Sequence, residues 1–298
     1  RRVLFRSWDG GDTFRVRITA TAPGTWSWQS GSAPGDAGLD GVRGSFTARA
    51  WSDADLRENS CRRGMIRPTA NGHAFEYADG TSFFLLGDTW WAVPTFRYRW
   101  YDDDQPRALG PKAGFKDFVR YRVKQGYNCI AMIAAFPNWS NDGQPANWNM
   151  PDGTVLRSAW KQAGTNTAKR MTDDFGQPPF LFPGKVPGYE KYIPDLERIN
   201  PKYFQTMDKK IDYLNAQGIV PFIEVARRDI GQVWKKYYPW PSSYTRYIQY
   251  VWSRYQANIC LLSPIHFDTP SKSISVEDWN RAANKVIDDY GRPPFGTL

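Results

Sequence analysis

Residues 200–225 read NPKYFQTMDKKIDYLNAQGIVPFIEV, a helix followed by a buried strand. Asn200 can cap the helix, Pro201 suits its first turn and Gly218 stops it, so the helix is expected over 201–217. Beyond Gly218, residues 219–225 are almost continuously apolar, as in a strand buried on both faces of a parallel sheet. The same unit recurs on either side. Apolar strands are expected at 82–86, 128–134 and 259–263, and helices at 115–125, 243–256 and 276–290. Four such strands, each followed by a helix, predict parallel β/α architecture. Polar and aromatic residues fall just past the strand ends: Asp88 and Trp90, Asn138 and Trp139, Glu224, then His266 and Asp268. A (β/α)₈ TIM barrel keeps its active site at that end. A closed barrel needs eight units and four are present, so residues 64–298 are expected to form the N-terminal half of one.

Upstream the periodicity changes from continuous to alternating. Phe14-Arg15-Val16-Arg17-Ile18, Trp26-Ser27-Trp28-Gln29 and Gly44-Ser45-Phe46-Thr47-Ala48 are short alternating runs separated by turn residues. They predict part of an antiparallel β-sandwich over 8–51, joined by a polar linker at 52–63. A long irregular insertion rich in Pro, Gly, Asn and Trp is expected at 135–200. Residues 1–7 join abruptly to Trp8-Asp9-Gly10-Gly11-Asp12, and Val3-Leu4-Phe5-Arg6-Ser7 is also what a common sequencing-adapter tail encodes. Residues 1–7 are expected to be a non-native leader. The last residues stop where another strand should begin, so the chain is expected to be truncated at both ends.

Composition narrows the function. The chain has 298 residues, 41% of them apolar and 23% charged, enough for a sizeable core. Mean hydropathy is −0.61, and no run approaches the roughly 18 apolar residues of a membrane span. The net charge of +9 is scattered among acidic residues, which argues against nucleic acid. No glycine-rich phosphate motif comes after any strand. Three cysteines (Cys61, Cys129, Cys260) without a C-x-x-C pair, and two histidines (His73, His266), make a zinc site or disulfide framework a poor fit. Metal-free, cofactor-free chemistry is expected. The 14 Trp, 16 Tyr and 17 Phe, many in polar loops, suit packing against sugar rings.

At Leu86-Gly87-Asp88-Thr89-Trp90-Trp91 the sequence resembles the apiosidase-like glycoside-hydrolase barrels, whose first strand ends in G-D-T-x-W. Residues 76–84 are similar to that family's approach to the strand, and 200–208 to its helix before the third. Residues 23–28 resemble the small β-sandwich that often precedes such barrels. The resemblance implies a carbohydrate substrate, hydrolysis by two carboxyl groups, no cofactor, and a secreted, periplasmic or cell-surface location. The family commonly carries a carboxylate in a G-D or G-E motif after the fourth strand. Here Ser263 leads to Pro264-Ile265-His266-Phe267-Asp268, so His266 takes the carboxylate's place and Asp268 lies two residues on. The family's second carboxylate comes from a later strand, past Leu298.

Glycoside hydrolysis needs one protonated and one ionised carboxyl group flanking the scissile bond. Asp268 and Glu224 are the catalytic candidates. Asp268 could instead cap a helix, and Glu224 could pair structurally with Arg227 or Arg228. Asp88, Trp90, Trp91, Asn138, Trp139 and His266 are the substrate-binding candidates, with Trp148 a further platform; Asp88 could instead brace loop backbone. Asp102-Asp103-Asp104 looks like a calcium cluster but lacks EF-hand spacing. The alternative reading is a non-catalytic carbohydrate-binding protein on a degenerate barrel.

Overall fold

The computed structural model describes residues 7–32, 34–135, 147–149, 155–157, 171–191, 193–227, 231–266 and 275–290. Four parallel strands form the central sheet in the order β13-β12-β9-β8. They are β8 (Gly87–Thr89), β9 (Cys129–Ile133), β12 (Val220–Glu224) and β13 (Leu261–Ser263). Helices α2 (Phe115–Lys124), α3 (Pro201–Ala216), α5 (Ser242–Tyr255) and α6 (Val276–Tyr290) alternate with the strands as expected. A short helix α4 (Gly231–Tyr237), which the sequence pattern does not announce, precedes α5. Helix α3 forms as the sequence predicts: the Asn200 side chain accepts from Lys202 N, Pro201 opens the helix, and Gly218 comes after it at φ +74°. Its buried stripe of Tyr203, Phe204, Met207, Ile211 and Leu214 recurs every three or four residues and faces the sheet.

Alternation along each strand splits the apolar interior in two. Ile130, Met132, Ile223, Val225 and Leu262 pack against the helices, together with Tyr244, Tyr247, Val251 and Tyr255 of α5. Val220, Ile259 and Leu261 face the other way and pack with Cys61, Ile66, Tyr77 and Phe83. The last three belong to a small antiparallel sheet of β5 (Ile66–Pro68), β6 (Phe75–Tyr77) and β7 (Ser82–Phe83).

The first parallel strand is displaced from its expected position. Ser82–Phe83 pairs antiparallel with β6, and parallel pairing starts only at Gly87. The Asn128 side chain accounts for the gap: it donates to Phe84 O (2.6 Å) and accepts from Leu86 N (2.9 Å). An amide thus stands in for backbone pairing at Phe84 O and Leu86 N, while Leu86 O already accepts from Asn128 N (3.0 Å), and Phe84 stays 79% exposed.

The alternating N-terminal runs form two separate antiparallel ribbons: β1 (Ser7–Trp8) with β2 (Phe14–Arg15), and β3 (Gly24–Gln29) with β4 (Arg43–Ala48). Ser7, placed in the expected leader, is buried within β1. In the second ribbon Trp26 stacks on Phe46, and the Trp28 indole lies over Gly44, where a Cβ would come within 2.5 Å of the ring. The first ribbon is anchored to the helices by ions. Buried Arg254 of α5 donates to Asp9 (2.8 Å) and through two nitrogens to Asp208 of α3 (2.7 Å each), while Arg17 reaches Asp208 at 2.7 Å.

The stretch expected as a linker is helical. Ser52 and Asp55 form a capping box on α1 (Asp53–Glu58), with a 3₁₀ turn after it at Ser60–Arg63. Asn59 donates to Asn215 O and Ala216 O, tying this stretch to the end of α3. The 135–200 insertion also contains regular structure, a hairpin of β10 (Asn147–Asn149) and β11 (Val155–Arg157).

Candidate active site

Glu224 is the last residue of β12, the strand between β9 and β13. Its backbone is held on both sides: Ala134 N donates to Glu224 O (2.8 Å), and Val225 N to Ser263 O (3.2 Å). Period-two alternation sends its side chain to the face opposite the helix-packed residues Ile223 and Val225. There Glu224 Oε2 lies 2.7 Å from His266 Nδ1, and both side chains are only 11% exposed. The indole of Trp91 packs on the His266 ring, with centroids 4.9 Å apart.

His266 is not in a free loop beyond β13. Pro264 has no N–H to give the ladder, and strand pairing resumes after it. His266 N donates to Ala226 O (2.7 Å), and His266 bridges Arg227 in parallel. Trp91 is likewise held by the sheet, since Ile133 N donates to its carbonyl (3.1 Å). A carboxylate, an imidazole and an indole from three parallel strands thus meet at the carboxyl ends, where open α/β sheets bind ligands.

Asp88 and Trp90 are not brought to this cluster. The Asp88 carboxylate accepts from Trp90 Nε1 (2.7 Å), Arg122 Nε (2.6 Å) and Thr89 N (2.8 Å). Burial alone would raise this carboxyl's pKa, but these donors more than offset it and hold it below the ordinary range. Trp90 is buried against Tyr98, Phe115 and Phe118. Both side chains therefore face α2, one position out of phase with Trp91. A cleft of about 720 Å³ is lined by Thr89, Trp90, Trp91, Arg97, Tyr98 and Arg122 among others, residues from both faces of this strand end, and it includes neither Glu224 nor His266.

Asn138, Trp139 and Asp268 lie outside the described residues, as does the side chain of Trp148. The acidic run is taken up by cations: Asp103 by Arg107 (2.7 Å), Asp104 by Lys116 (2.7 Å) and Asp102 by Lys209 (3.6 Å). Among the described residues no cluster of three His, Cys, Asp or Glu could hold a metal, and no helix is long and apolar enough to cross a membrane. Sequence reasoning missed buried Lys210, whose Nζ donates to Val93 O (2.9 Å) and Thr95 O (3.2 Å) and pairs with Asp174 (2.7 Å). It fixes the segment after Trp91 to α3. A lysine two turns beyond Tyr203 on the apolar stripe was the available signal.

None of the curated proteins compared with the chain is similar enough to count as a match. Among solved structures, a candidate glycoside hydrolase from Bacteroides vulgatus ATCC 8482 superposes with a TM-score of 0.59 at 17% identity, over 98% of this chain and 48% of its own. A glycoside hydrolase family 5 protein from the same organism gives 0.46 at 14% identity, over 80% of this chain and 39% of its own. The chain therefore spans about half the length of the first of these structures. The first match shows a shared fold. The family model for the apiosidase-like catalytic domain matches residues 69–288, which is most of the chain, and the chain belongs to that family of glycoside hydrolases.

Proposed function

We propose that the chain is part of a glycoside hydrolase that cleaves a plant or microbial polysaccharide or oligosaccharide by carboxylate acid–base catalysis, without a cofactor and outside the cytoplasm. In this reading the four-stranded sheet is the N-terminal half of a (β/α)₈ barrel, and the N-terminal ribbons belong to a β-sandwich domain. The observation that carries it is the Glu224 carboxylate at the carboxyl end of β12, against His266, whose ring packs on the Trp91 indole. A carboxylate and an indole joined through one imidazole supply the two demands of a sugar ring: charge for the developing oxocarbenium ion and a flat surface for its C–H face. Asp268 lies five residues beyond the end of β13 in sequence and is the proposed proton donor.

The test is release of reducing sugar from a panel of plant and microbial glycans by the full-length protein and by its Glu224→Gln and Asp268→Asn variants. Each variant is expected to lose about 10²-fold or more in turnover, the usual size of a lost acid–base group. Wild-type turnover in Glu224→Gln would remove Glu224 from the chemistry. Glycan binding without hydrolysis by the wild type would favour the carbohydrate-binding alternative.

A further inference from the structure

Two proton placements fit the 2.7 Å contact between Glu224 Oε2 and His266 Nδ1. Either the imidazole Nδ1–H donates to an ionised carboxylate, or a protonated carboxyl donates to the Nδ1 lone pair. An imidazole is a stronger base than a carboxylate, which favours the first. Both backbones are fixed in the sheet, through Ala134 N to Glu224 O and His266 N to Ala226 O. The rotation of the two side chains is then set by their own contacts. Trp91 limits the imidazole from one side, and the Nδ1 contact then sets the carboxylate.

We propose that His266 is a positioning residue, holding Glu224 as an oriented, ionised carboxylate by donating its Nδ1 proton to Oε2. This rests on the glycoside-hydrolase reading for its catalytic consequence. Glu224 then enters the reaction as the charged member of the carboxyl pair, the nucleophile or base, and proton donation to the leaving group falls to another carboxyl. His266 itself touches no reacting atom. Its role resembles that of any group that orients a catalytic side chain through one hydrogen bond.

The proton placement can be read without activity. In ¹⁵N-histidine-labelled full-length protein the His266 signal is identified as the one that disappears in His266→Phe, with exposed His73 assigned in the same way by His73→Asn. Nδ1 is expected to carry a proton at neutral pH and to lose that signature in Glu224→Met. An unprotonated Nδ1 in the wild type would overturn the proposal. In kinetics, His266→Phe keeps a ring but no donor and should lower kcat about 10- to 100-fold, the size of a lost charge-assisted hydrogen bond, with KM little changed. His266→Asn restores an N–H at the Nδ1 position and should recover most of that loss. Circular dichroism of both variants checks that they fold. No loss in His266→Phe, or equal loss in His266→Asn, would overturn the positioning role. If the wild type cleaves no glycan, the hydrolase reading fails while the NMR result still decides the proton placement.

Discussion

Replacing Arg254 with Met should separate the N-terminal ribbon from the helices it rests on. The Arg254 guanidinium is fully buried and makes four hydrogen bonds: two to Asp208, one to Asp9 and one to the Tyr250 hydroxyl (3.1 Å). Removing one partner of a buried ion pair usually costs about 3–5 kcal/mol, because the other is left uncompensated. Here Asp9 would keep Arg15 and Asp208 would keep Arg17, so the low end applies, about 3 kcal/mol. For a chain of 298 residues that corresponds to a fall in Tm of roughly 5 °C. Acid should narrow the gap. Burial alone would raise the Asp9 carboxyl's pKa, but Arg15 and Arg254 more than offset this and hold it below the ordinary aspartate value. Its contribution is therefore present above pH ~4 and lost as the pH falls through the lowered folded value. Urea unfolding of wild type and Arg254→Met at neutral pH and near pH 3 measures both effects, with hydrogen exchange at the Asp9 amide reporting the ribbon. A difference under about 0.5 kcal/mol at neutral pH, the ordinary size for a surface substitution, would refute the network as an anchor.

The same geometry makes three other substitutions informative. Asp88→Asn should leave glycan turnover near wild type while lowering stability, because its carboxylate is bonded to Trp90 and Arg122 on the α2 side; a turnover loss as large as that of Glu224→Gln would contradict this placement. Lys210→Met should cost about 3 kcal/mol in urea unfolding by stranding buried Asp174, and should raise hydrogen exchange across residues 93–96; unchanged exchange there would remove Lys210 as the tie. Gly44→Val should displace the Trp28 indole, which a Cβ would meet at 2.5 Å, and so change tryptophan near-UV dichroism; an unchanged spectrum would show that the indole does not rest on Gly44.

The parallel sheet was legible because buried strands and amphipathic helices differ in period, and because Asn200, Pro201 and Gly218 punctuate α3 so clearly. Its first strand was misplaced for a local reason. Ser82 to Leu86 has a strand's composition, but Asn128, some forty residues on, supplies side-chain bonds where backbone pairing was expected. Composition cannot register a partner so distant in sequence. The polar stretch at 52–63 reads as a linker because α1 buries none of its own residues. Its anchorage comes from Asn59 and Cys61, next to the helix rather than within it.

The candidate site turns on a single phase choice. In a strand, adjacent side chains point to opposite faces, so Asp88 and Trp91 cannot both face the sheet's interior side. The sequence names G-D-T-W-W but not its phase. Arg122 decides it: an arginine seven residues after Phe115 falls on the buried side of α2, beside β8, and there it takes the Asp88 carboxylate. Trp90, two residues on, joins Phe115 and Phe118 on the same side. Thr89 and Trp91 are then left for the other face, where β12 presents Glu224 and the strand resumed after Pro264 presents His266. Packing demands on α2 thus set the orientation of the indole that lies beside His266. A one-residue slip of β8 as a whole would exchange the two faces, turning the Asp88 carboxylate toward the Glu224 side and the Trp91 indole toward Arg122.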